Sequence, residues 1–200
     1  MKKAFVDGGY NYILNYQPNI DQLTKDKIRY GLESLYILIT KLLFIFIVAA
    51  ILHMTLEVFI FLCLYNIIRM TSFGLHATKS WICLVSSTLI FILVPMLCQY
   101  TIIPINIKVI LGIVGTLLMI KNAPADTYKR PIVNPKRRFV YKTLSTIIAI
   151  GLTIASILIS NSFWANACIM ALVVQCFMIS PLVYKIFKLP YNNYLKYQKS

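Results

Sequence analysis

Apolar residues in this chain do not alternate with polar ones at short period. They come in long blocks separated by short polar interruptions, which is the pattern of helices surrounded by hydrocarbon rather than of a soluble core. Six blocks stand out, at about 32–51, 54–68, 81–100, 103–120, 143–160 and 163–184. Each predicts a helix. A hydrocarbon layer of about 30 Å needs about 20 helical residues, so the second block is short for a full crossing. The gaps alternate between long and very short, as in three helical hairpins. The expected fold class is therefore all-α, a polytopic membrane protein of six transmembrane helices.

Charge places these helices. The chain carries 20 Lys and Arg against 6 Asp and Glu, for a net charge of +14. Every basic residue except Lys41 and Lys108 falls before the first block, between blocks two and three, between four and five, or after six. The other three connections carry none. By the positive-inside rule this puts both termini and all basic loops in the cytoplasm of a cell with its cytoplasmic membrane around it, and makes anionic lipid a natural partner. A basic soluble protein of this charge would point to nucleic acid, but no nucleic-acid motif accompanies it, so none is expected as a partner.

Ends and cysteines narrow the picture. Asp7, Gly8 and Gly9 interrupt any apolar run after Lys2 and Lys3, so the N-terminus does not read as a cleaved signal. Residues 1–30 read as an interfacial lead-in, with Asn19 as N-cap and Gln22 three residues on, or equally as a flexible tail. Residues 31–187 form the membrane domain and 188–200 a basic tail. The 5 cysteines show no metal or redox spacing. Cys63, Cys98, Cys168 and Cys176 lie inside apolar blocks and read as packing residues.

Chemistry is concentrated in the stretch F-G-L-H-A-T-K-S-W-I-C, Phe73 to Cys83. His53 belongs to the opposite end of the first helix, which leaves His76 as the histidine able to activate Cys83. Two ligands are too few for zinc, so neither a metal nor a cofactor is expected. On one straight helix the two residues would stand about 10.5 Å apart, too far for a thiol–imidazole hydrogen bond. The chain must break between them or before Cys83, and Gly74 and Thr78-Lys79-Ser80 suit a break. A helix starting near Thr78 or Ser80 would put Cys83 in its first turn, where the helix dipole favours thiolate. A lone His and Cys near a membrane surface also fit plain packing and interface roles.

The run G-L-H-A-T-K-S-W-I-C, Gly74 to Cys83, resembles the G-x-H-A-x-x-x-x-x-C signature of the accessory gene regulator B (AgrB) family of bacterial membrane cysteine endopeptidases. A second stretch, A-P-A-D-T-Y-K-R-P-I, Ala123 to Ile132, resembles that family's A-P-x-D-x-x-x-K/R-P segment. Phe73 departs from the pattern, since many family members carry a further glycine there. The resemblance implies His76 as base and Cys83 as nucleophile within a catalytic turn at 69–83. It implies an AgrD-like precursor as substrate, whose tail leaves from an acyl-enzyme thioester before cyclisation to a thiolactone or lactone quorum-sensing peptide. It also implies a homodimer.

Supporting roles stay open. Ser80, Ser86 and Ser87 are polar neighbours of Cys83, or small residues for helix packing. Asp126 could orient His76, or start a turn or pair with Lys129 or Arg130. Arg69, Lys79, Lys129 and Arg130, the last two in a basic loop at 121–142, could bind an acidic substrate tail or lipid headgroups. Lys41, Glu57 and Lys108 lie inside apolar blocks, where Glu57 and Lys108 could pair; a transporter or channel using these three is the alternative function.

Overall fold

The computed structural model describes residues 2–17, 20–75, 80–127 and 131–198. All regular structure in these residues is helical, and no β-strand forms among them. In chain order the helices are α1 (Lys2–Tyr16), α2 (Gln22–Ile51), α3 (Thr55–Ser72), α4 (Ser80–Tyr100), α5 (Ile105–Asn122), α6 (Pro135–Leu158), α7 (Ser162–Met178), α8 (Pro181–Ile186) and α9 (Leu195–Gln198). Five of them, α2 to α6, are long and apolar enough to cross a membrane. The apolar α7 has 17 residues and falls just short of that length.

The chain divides into two compact units, residues 1–51 and 52–200. In the first, the N-terminal lead-in is a helix packed against the start of α2. Lys2 Nζ meets Glu33 Oε2 at 2.9 Å, Arg29 Nη2 meets Asp7 Oδ1 at 3.3 Å, and Phe5 tilts against Tyr36. These ion pairs are exposed and add little stability; the ring contact and the fit of Leu32 against Gly9 define the packing. The expected cap Asn19 lies outside the described residues.

In the second unit α7 is the central element and packs against α3, α4, α5 and α6. Its sequence explains this. Ala165, Ala167, Cys168, Ala171 and Cys176 are small and buried, so neighbouring backbones come close. Helix α5 offers the complementary surface through Gly112 and Gly115. A Cβ on Gly112 would overlap the Thr153 side chain of α6, and one on Gly115 would sit 2.9 Å from Leu172 Cγ of α7. Two buried amides fix α7 at opposite ends. Asn166 Nδ2 donates to the carbonyls of Cys98 and Thr101 at the end of α4, at 3.1 and 2.8 Å. Gln175 engages the end of α3.

Four boundaries differ from the pattern of apolar blocks, two of them because α2 starts at Gln22 and α6 at Pro135, well ahead of blocks that begin near 32 and 143. Helix α3 runs to Ser72, so the second block is 18 helical residues rather than a short one. The sixth block does not continue as one helix to residue 184. It stops at Met178, because Ser180 caps a new helix by accepting from Leu182 N–H, and Pro181 occupies its first position.

Candidate active site

The segment after α3 is held from three directions. The Ser72 hydroxyl donates to Ile68 O at 2.6 Å, closing the last turn of α3. Phe73 then takes φ 57° and Gly74 φ 120°, and the helix ends. The position of Gly74 leaves no room on its α7 side: a Cβ would meet Met178 O at 3.3 Å and Ile179 Cγ2 at 3.4 Å. Only glycine adopts this φ without strain. From α7, Gln175 Nε2 donates to Ser72 Oγ at 2.7 Å and to Phe73 O at 2.6 Å, and Met178 O accepts from Leu75 N–H at 3.3 Å. From the segment after α5, Ala125 N–H donates to Ser72 O and Ala125 O accepts from Gly74 N–H, both at 3.0 Å. That segment contains a cis Ala123–Pro124 peptide.

Arg69 completes the clamp. Its Nη2 donates to Leu75 O at 3.1 Å and its Nη1 to Tyr65 Oη at 2.7 Å, with the guanidinium 5.6 Å from the Tyr65 ring centre. Arg69, considered above for an anionic partner, thus directs one N–H to the backbone of the turn and another to Tyr65.

His76 and Lys79 lie outside the described residues, as do Lys129 and Arg130. Helix α4 begins at Ser80, so Cys83 is its fourth residue and lies in the first turn, half-buried. Among the described residues, α3 ends at Ser72 and Phe73–Leu75 are not helical, while the stretch where the spacing of His76 and Cys83 asks for a break lies outside them. Cys83 Sγ lies 4.0 Å from Ser87 Oγ, one helical turn on. Ser86 turns away and donates to Ile82 O at 2.7 Å. Of the other cysteines, Cys98, Cys168 and Cys176 are buried and Cys63 is exposed along α3.

Asp126 has partners of its own. Its carboxylate is buried and accepts the backbone N–H of Asn193 at 3.0 Å on Oδ1 and of Tyr194 at 2.9 Å on Oδ2. Arg138 of α6 stands 3.8 Å from Oδ2 and lies flat on the Tyr194 ring at 3.4 Å. Tyr184 Oη donates to Asp126 O at 3.2 Å. Asp126 thus fastens the C-terminal segment to the same strip of backbone that binds the turn. Burial raises the pKa of the neighbouring Tyr191 phenol above its ordinary value.

Sequence reasoning passed over Gln175 and Asn166. The signal was available: they are polar amides in the most apolar part of the sixth block, where an unpaired amide is costly. Glu57 and Lys108 form no ion pair with each other, and no group of three or more His, Cys, Asp or Glu among the described residues is arranged to hold a metal.

The comparison with known proteins bears on this whole arrangement. The family described as "AgrB: Accessory gene regulator B" matches residues 8–179, which span the turn, the 123–126 segment and α7. The chain belongs to the AgrB family. An AgrB-like protein of Listeria monocytogenes serovar 1/2a is 34% identical over 174 residues, covering 86% of this chain and 84% of the relative. One from Clostridium acetobutylicum is 27% identical over 187 residues, covering 94% and 90%. The accessory gene regulator protein B of Staphylococcus haemolyticus is 31% identical over 150 residues, covering 75% and 79%. No solved structure matches the chain. This AgrB-family chain therefore has its two signature stretches, Gly74–Cys83 and Ala123–Ile132, joined by backbone hydrogen bonds at Gly74 and Ala125.

Proposed function

We propose that this protein is a membrane cysteine endopeptidase of quorum sensing, acting on an AgrD-like precursor peptide. The observation that carries the reading is the position of Cys83, the fourth residue of α4, in a chain whose preceding described stretch, Phe73–Leu75, is held in a non-helical turn. At the N-terminus of a helix the first peptide N–H groups lack intrahelical partners, and the helix dipole attracts negative charge. The same N–H groups are the natural donors to an oxyanion.

In the proposed reaction His76 takes the Cys83 proton, and the thiolate adds to the carbonyl at the junction with the precursor's C-terminal tail. The C–N bond breaks, the tail amine leaves with the proton held by His76, and a thioester to Cys83 remains. A thiol or hydroxyl within the precursor then adds to that thioester. Cys83 is released and regains a proton, and the product is a thiolactone or lactone ring. Proximity favours this closure over hydrolysis where the site limits water.

The membrane arrangement that fits is six spans with α7 as the sixth, both termini cytoplasmic, in the bacterial cell membrane and as a homodimer. Helix α7 is about 25 Å long; its burial among four other helices shields it, so its ends need not reach lipid headgroups alone. The loop ends that carry positive charge support one shared side, since the segments after α3, α5 and α7 meet at Gly74, Ala125 and Met178.

The test is cleavage of the cognate precursor by the purified protein in detergent. Cys83→Ala is expected to abolish release of the tail, and His76→Ala to slow alkylation of Cys83 near pH 7. Tail release by the Cys83→Ala protein would refute the assignment.

A further inference from the structure

A cavity of about 430 Å³ opens at the same end of the second unit, beside the Asp126 anchor but away from Cys83 in the chain. Three cations line it: Lys121 from the last turn of α5, and Arg138 and Lys142 from the first turns of α6. Tyr191, Asn192 and Tyr194 close the other side. Its volume lies in the range of about 300–1,000 Å³ typical of small-molecule sites.

The charge in this cavity is not balanced from within. No acidic side chain lines it among the described residues. Lys121 and Lys142 form no ion pair among those residues. Arg138 Nη1 is buried and has no hydrogen-bond partner among them, because its 3.8 Å approach to Asp126 is too long for one. The chain has no carboxylate side chain after Glu57 other than Asp126, which is already engaged by two backbone N–H groups. Lys121 and Lys142 thus have no carboxylate partner within the described residues of this unit, which leaves both ammonium groups available to an anion from another molecule.

The surroundings say which kind. Phe139, on the cavity wall, is 70% exposed, and Leu182 and Ile186 of the adjoining α8 are 71% and 72% exposed. Along the two helices that supply the cations, Leu117 and Ile120 of α5 and Leu144 and Ile147 of α6 are exposed as well. In a membrane the exposed faces of α5 and α6 lie against hydrocarbon, so the cavity at their basic ends opens at the level of lipid headgroups, with Phe139 as its apolar rim. An amphiphile would fill the cavity with its anionic group and cover the rim with its chains, and basic pockets between helix ends at a membrane surface suit such headgroups.

We infer that the cavity between the end of α5, the start of α6 and the C-terminal segment is a binding site for the phosphate of an anionic phospholipid. Lys121 and Lys142 supply charge to the phosphodiester, Arg138 offers its unpartnered Nη1, and Asn122 and Asn192 offer amide N–H groups to headgroup oxygens. The site rests on the membrane character of the chain and is independent of any role for Cys83.

The experiment uses the full chain in an uncharged detergent, and native mass spectrometry to count lipid retained after adding phosphatidylglycerol or phosphatidylcholine. The wild type is expected to retain phosphatidylglycerol preferentially. The Lys121→Gln/Lys142→Gln variant is expected to bind it on the order of tenfold more weakly, while melting in phosphatidylcholine as the wild type does. The single charge reversal Lys121→Glu, on an exposed helix end, should also remove the preference. Equal retention of the two lipids, or a preference untouched by these substitutions, would overturn the proposal. So would competition by millimolar inorganic phosphate without preference between the lipids, which would make the cavity a site for free phosphate. Lysine-dependent binding of an acidic peptide with no phosphatidylglycerol preference would overturn it in favour of a peptide partner.

Discussion

Phe73 and Ala125 lie opposite each other in an isolated parallel bridge, flanked by hydrogen bonds of 3.0 Å from Ala125 N–H to Ser72 O and from Gly74 N–H to Ala125 O. The turn before Cys83 and the segment before the basic loop are therefore one structural piece. Gln175 braces it from α7, and Asp126 ties the C-terminal segment to it.

Gly74→Ala tests how tightly the piece is held. Alanine would have to take φ 120° with Met178 O and Ile179 in contact with its Cβ. The expected cost is about 1–3 kcal/mol of stability, read as a lower melting temperature in detergent. An unchanged melting temperature would mean that the turn relaxes freely.

Gln175→Leu removes both donors to the turn and leaves Phe73 O in a buried setting without that partner. The expected loss is about 1–3 kcal/mol. Gln175→Glu is expected to do no better than leucine, because a carboxylate has no N–H to donate. Wild-type stability in both variants would show that the brace is dispensable.

Asp126→Asn keeps the shape but cannot accept on both sides. Hydrogen exchange at the amides of Asn193 and Tyr194 is expected to accelerate about tenfold or more, the equivalent of losing a charge-assisted bond. The rate of Cys83 alkylation should stay the same. Slower alkylation with protected amides would instead place Asp126 in support of His76.

Gly112→Ala drives a methyl group into Thr153, and the expected penalty is about 1–3 kcal/mol. Thr153→Ala in the same chain should recover part of it, because only the Thr153 Cβ, 3.0 Å away, remains in the path. Additive losses in the double variant would contradict this close contact of α5 and α6.

Much of this architecture is written in single residues. The uninterrupted apolar blocks matched α4 and α5 within two residues and the C-terminal ends of α2 and α6, whereas the polar first turns of α2 and α6 carry no hydropathy signal. The end of α7 was also legible, in Ser180-Pro181, but a hydropathy pattern is blind to a cap within an apolar run. The brace from Gln175 and the anchor at Asp126 were not legible. Each joins positions far apart in the chain, and only the packing of α7 and the return of the C-terminal segment bring them together. Arg69 shows the same limit: its charge is plain in the sequence, whereas its partners Leu75 O and Tyr65 are a product of the fold.

The central helix is also a late one. Helices α3 to α6 all pack on α7, and α7 follows them in the chain. During synthesis these helices must reach the membrane without the surface on which they later meet. The carbonyl of Phe73 gains its partner only once residue 175 has been made, and Asp126 gains its N–H groups only once residue 194 has. A ribosome that stops short of the last turn of α7 leaves the stretch around Gly74 with its contacts to Arg69 and Ala125 but without the brace from Gln175.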